Sequence, residues 1–178
     1  VSSSSGEYGE TGDRGGGLVG YADGSISVTD SYTSGSVSSN SDAGGLVGRN
    51  DGDANLVDVR VEGSVSSSNS HGGGLVGDTG GKKDYAYVDN ATVLGKVSGQ
   101  VGVGGLIGRN DGETVVNDSY ISKKVNGCCT EYGEQRKRIG GLVGHSTQDT
   151  EVRNSHAENV DGDKAVGGLV GNSGGKTN

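Results

Sequence analysis

Few residues of this 178-residue chain carry types that do chemistry, and they lie far apart. Acids crowd two turns, Gly48–Asp53 (GRNDGD) and Gly108–Glu113 (GRNDGE), where Asp51, Asp53, Asp111 and Glu113 offer paired carboxylates of the kind calcium uses. Calcium takes six or more oxygens, and each turn supplies two carboxylates plus backbone carbonyls. A plain Asn-Asp-Gly turn is therefore the first expectation, and calcium is the one cofactor to weigh against none. Cys128 and Cys129 are adjacent, which excludes C-x-x-C redox chemistry and a four-ligand zinc site. They allow a vicinal disulfide or a cross-link to another chain in an oxidising compartment. His71, His145 and His156 occupy different repeat positions and do not form a metal set by spacing. Two glycosylation sequons occur, Asn90-Ala91-Thr92 and Asn117-Asp118-Ser119. Asn117 is the accessible candidate of the two, with Asn90 expected to be buried.

The elements that must position these residues come from repetition. The phrase G-G-L-[VI]-G occurs six times, with its leucines at Leu18, Leu46, Leu75, Leu106, Leu142 and Leu169, in steps of 27 to 36 residues. Between copies runs a second phrase, apolar–x–[Asp/Asn]–small, which places Asp30, Asp58, Asn90, Asp118 and Asn154 in one column. Each repeat reads as two or three short strands joined by Gly, Ser, Asn and Asp turns, and no window has helical periodicity. The second strand closes on Val37, Val65, Val97, Val125 or Val160.

One repeat cannot bury a core alone, but stacked repeats can, each rung hydrogen-bonded to the next at about 4.8 Å. The expected fold is all-β: a single right-handed parallel β-solenoid over residues 1–178, of about five to six rungs with 27–36 residues each. The leucines form its core column. The Asp/Asn column forms a ladder at a bend, where short polar side chains bond backbone groups or the next rung. One carboxylate per rung does not make the paired acids of a glycosidase cleft. The glycines leave room for backbone of the opposite sheet to approach. One outward column is chemically mixed: Tyr32, Arg60, Thr92, Tyr120 and His156.

Composition narrows the function further. Hydrophobic residues make up 29%, aromatics 4%, and there is no Pro, Phe, Trp or Met, so a thick globular core is excluded. A net charge of −8 argues against nucleic acid as a partner, and no apolar run suits membrane insertion.

G-G-L-V-G followed by a polar turn and an [IV]-x-[ND]-S-Y strand resembles the GLUG-motif repeat. That repeat is found in bacterial and archaeal surface proteins, in adhesins, and in non-catalytic regions of immunoglobulin A-specific metallopeptidases. The resemblance implies a repetitive extracellular β-solenoid and carries no catalytic residue over; no H-E-x-x-H occurs.

One longer rung stands out. Val125–Gly144 and Val1–Gly20 share the tetrapeptide EYGE, Glu131–Glu134 and Glu7–Glu10, with an arginine four residues on. Two loops leaving the same corner, roughly 19 Å apart at four rung spacings, make Glu7, Tyr8, Glu10, Glu131, Tyr132 and Glu134 candidate interaction residues. Both ends of the array are cut inside a rung, so continuation along the axis is expected, by a longer parent chain or by self-association. The expected role is a structural or adhesive unit at the cell surface, without catalysis: a stalk, an adhesin segment or a filament subunit, engaging a host or neighbouring-cell surface. The alternatives are a carbohydrate-binding or carbohydrate-active β-helix and a spacer of a large secreted peptidase.

Overall fold

In the computed structural model each rung is one circuit of short strands. The structure describes residues 2–3, 13–80, 84–127, 137–162 and 165–178, and no helix occurs among them. The second rung shows the plan: Asp42–Gly44, Val47–Asn50, Ala54–Val61 and Val65–Ser67 follow one another around the circuit. Each strand pairs in parallel with its equivalents in the rungs on either side. The result is one eleven-stranded and two six-stranded sheets, a β-solenoid of about five turns.

The leucine column is the axis of the core. Leu46, Leu75, Leu106 and Leu142 are fully buried, and their backbones link consecutive rungs at 3.0, 2.8, 2.9 and 2.8 Å from N to the next leucine's O. Leu18 and Leu169 depart from the expected core column, at 49% and 39% exposed. Both lie in the outermost rungs of the six-stranded sheets, where among the described residues a neighbouring rung covers one side only.

Two glycine positions explain why the phrase is repeated. The second glycine faces the same residue one rung on: a Cβ on Gly45 would sit 2.2 Å from Gly74 O, and one on Gly105 would sit 2.1 Å from Gly141 O. The last glycine meets the opposite six-stranded sheet, with a Cβ on Gly77 falling 2.8 Å from Ala43 N. The two six-stranded sheets thus press backbone against backbone, as the glycine spacing implies.

The long strand differs from expectation in two ways. In the first three rungs Val37, Val65 and Val97 each begin a separate short strand instead of ending the long one. The bend column sits in the left-handed region, within the long strand at Asp30, Asp58 and Asn90 (φ 47°, 54° and 48°) and in the break between two strands at Asp118 and Asn154 (φ 45° and 48°). Asp and Asn tolerate this conformation better than other side chains. Its effect is to reset the alternation: Leu56 and Val59 both face the core across Asp58, although three residues apart. The ladder side chains are all exposed, which corrects the expectation that Asn90 is buried.

Candidate functional site

The outward face of the long sheet carries the mixed column in register. Tyr32 pairs with Arg60, Arg60 with Thr92, Thr92 with Tyr120 and Tyr120 with His156. Acids from the adjoining column tie it down: Tyr32 Oη donates to Glu62 at 2.9 Å, Arg60 to Glu62 at 2.6 Å and Tyr120 Oη to Glu158 at 2.6 Å. The Tyr120 and His156 rings lie 4.5 Å apart. These contacts fix side chains that would otherwise move freely on an open sheet face.

A second polar feature was not read from the sequence. The residues flanking each glycine phrase, seven apart, meet across the seam between the two six-stranded sheets. On one side Arg14 pairs with Asp42, His71 precedes the Gly72–Ala43 and Gly72–Val103 pairs, and Gly102 pairs with Arg138. On the other, Tyr21, Arg49, Asp78, Arg109, His145 and Asn172 form a continuous column. The signal was available as the pair of residues bracketing every x-G-G-L-[VI]-G hexapeptide. A search for strand periodicity passes over it, because the glycines between interrupt every alternation.

The seam is charged and largely enclosed. The Arg14 guanidinium lies 4.0 Å over the Tyr21 ring, and Tyr21 Oη donates to Asp51 at 2.8 Å. That hydrogen bond to a carboxylate raises the phenol's pKa. Arg49 donates to Asp51 at 2.7 Å, while Arg49 and Arg109 Nη1 approach Asp78 Oδ2 at 3.7 and 3.8 Å. Arg109 also pairs with Asp111. His71 Nδ1 lies 2.9 Å from Asp42 Oδ1, and Ser70 Oγ donates to the same oxygen at 3.0 Å.

The two buried acids respond in opposite directions. Burial pushes the Asp78 carboxyl up, and Asp42 reinforces this against the pull of His71 and the arginines. Burial would raise Asp42 too, but hydrogen bonds from His71 and Ser70 and the Arg49 charge hold it below the usual range. Farther along, His145 is pulled down by burial and by Arg138. A cavity of about 420 Å³ opens there, lined by Ser70, His71, Val101, Arg109, Arg138 and His145. Gly102, on the Arg138 side of the seam, contributes no side chain to fill it.

The remaining candidates fall into three groups. Asp51 and Asp111 are drawn to Arg49 and Arg109, and Asp53 accepts from Tyr85 N at 2.8 Å, while Glu113 is exposed. The four are not gathered into one three-acid cluster among the described residues. Asn117 is half-buried with Oδ1 enclosed, whereas Asn90 is exposed, which reverses the expected order of the two sequons. The EYGE residues Glu7, Tyr8, Glu10, Glu131, Tyr132 and Glu134, together with Cys128 and Cys129, lie outside the described residues.

Comparison with protein families matches the GLUG motif at residues 39–66 and 136–161. No curated protein and no solved structure matches the chain.

Proposed function

We propose that this GLUG-repeat protein is an extracellular structural rod with an adhesive face: a stalk, an adhesin segment or a filament-forming subunit, and not a catalyst. The observation that carries the reading is the unbroken rung-to-rung ladder, in which Leu18 N through Leu142 N each donate to the leucine of the next rung at 2.8–3.0 Å. A quasi-one-dimensional stack of this kind gives stiffness along its axis from nearest-neighbour contacts alone. Its outer rungs, with Leu18, Val166 and Leu169 exposed, suit continuation by further rungs or by a second copy. The Tyr32–His156 column offers residue types that dominate protein interfaces, held on a rigid sheet.

The experiment is sedimentation velocity and electron microscopy over a concentration series, with binding to cell surfaces measured in parallel. Elongated particles that lengthen with concentration, and adhesion that falls in a Tyr32→Ser, Tyr120→Ser variant, are the expected results. A compact, concentration-independent particle without surface binding would overturn the proposal.

A further inference from the structure

We propose that Asp42, His71 and Asp78 form a binding site for a divalent transition-metal ion, of the zinc type, in the seam between the two six-stranded sheets. One ligand atom from each of the three lies within 4.8 Å of the other two. Zinc bonds of about 2.0–2.2 Å set tetrahedral ligand atoms roughly 3.4 Å apart, so side-chain adjustment on a fixed backbone suffices. The backbone is fixed by parallel pairing: His71 and Asp42 flank the Gly72–Ala43 pair, and Asp78 belongs to the facing strand Val76–Thr79.

A second observation points to a cation independently of the cluster. Asp78 is 1% exposed, and its Oδ2 faces both arginines, yet its Oδ1 is buried and finds no hydrogen-bond partner among the described residues. An orphaned carboxylate oxygen is costly in a core and unusual in native structures. The two arginines that approach Asp78 are shared: Arg49 also pairs with Asp51 and Arg109 with Asp111.

The donor set selects the ion. One imidazole nitrogen with two carboxylates suits zinc and its first-row neighbours, whereas calcium and magnesium prefer all-oxygen shells. Ser70 Oγ, 3.0 Å from Asp42 Oδ1, would orient that carboxylate from outside the ligand shell. Binding through His71 Nδ1 requires that nitrogen to be unprotonated, so loading releases a proton whenever it starts protonated. The site is separate from the adhesive face and does not rest on the proposed function.

The test uses the full chain with Cys128→Ser and Cys129→Ser, because adjacent thiols would compete for zinc. After chelator treatment, zinc, calcium and magnesium are titrated separately by calorimetry. His71 ring resonances are followed by NMR, and the folding of every variant is checked by circular dichroism without metal. The expected result is about one zinc per chain, a shift of the His71 resonances with those of His156 unmoved, and negligible calcium or magnesium binding. Asp78→Asn and His71→Gln, each folded without metal, should weaken zinc at least tenfold; even loss of an outer-shell partner costs about 10–100-fold. No zinc binding, equal binding by the folded variants, unmoved His71 resonances, or equal preference for calcium would each overturn the assignment. If either substitution prevents folding, unmoved His71 resonances in the parent still decide against the site.

Discussion

Replacing Gly105 with alanine separates the stacking role of the glycine phrase from mere turn formation. A Cβ at Gly105 would lie 2.1 Å from Gly141 O and 2.8 Å from Ile121 Cγ1. Non-bonded carbon and carbonyl oxygen approach no closer than roughly 3.3 Å, so the rungs must part locally by about an ångström. That same oxygen accepts Gly105 N at 3.1 Å, and moving it away breaks the hydrogen bond. Overpacking costs about 1–3 kcal/mol, and a buried donor left unpaired about 1–3 kcal/mol more. The loss of unfolded-state freedom on changing glycine to alanine returns about 0.4–1 kcal/mol. The net is a loss of about 1–6 kcal/mol, or a fall in Tm of roughly 2–24 °C for a chain of this length. Gly168 occupies the same repeat position, but a Cβ there meets nothing within 4 Å. Gly168→Ala should therefore be neutral or raise stability by up to about 1 kcal/mol. Thermal melts and urea titrations by circular dichroism, at matched low concentration, compare the two variants. Equal shifts, or a larger loss at Gly168, would refute the claim that rung-to-rung contact is what demands glycine.

Three further outcomes follow from the same structure. Leu106→Ala, at a fully buried position, should cost about 2–5 kcal/mol, whereas Leu18→Ala, at 49% exposure, should cost clearly less in the same urea titration. At Asp118, with φ of 45°, substitution by valine should destabilise by about 1–2 kcal/mol and substitution by glycine should be close to neutral, again read from urea midpoints. His145 has a pKa lowered from 6.5 by burial and by Arg138, so protons favour the unfolded state. Stability should be full above the unfolded value near 6.5 and fall as pH drops from there through the folded value, and His145→Gln should flatten that part of the Tm–pH profile.

Much of the architecture was legible because a solenoid writes its fold as a period. The leucine spacing located the rungs, and the Asp/Asn column located a bend whose positive φ those residues tolerate. The outward column Tyr32, Arg60, Thr92, Tyr120 and His156 was also readable, since parallel stacking in register makes equivalent repeat positions neighbours in space.

What the sequence could not decide was everything that depends on which side of a strand faces another sheet. Asn90 and Asn117 differ in exposure because a left-handed residue shifts the alternation by one place, turning Asn90 outward and leaving Asn117 half-buried. Leu18 and Leu169 match the phrase as well as Leu106 does, yet only the three-dimensional stack tells an inner rung from an outer one. The seam illustrates the same limit most sharply. Asp42 and His71, 29 residues apart, precede the glycine phrase in successive repeats, and Asp78 follows it seven residues after His71; the spacing marks them as equivalent positions without showing that they meet. They meet because glycines with no side chains let two sheets close to backbone contact, and charged residues bracketing those glycines are then forced together. Periodicity along one chain fixes neighbours within a sheet. Contact between sheets is set by packing, and only the tertiary structure holds that information.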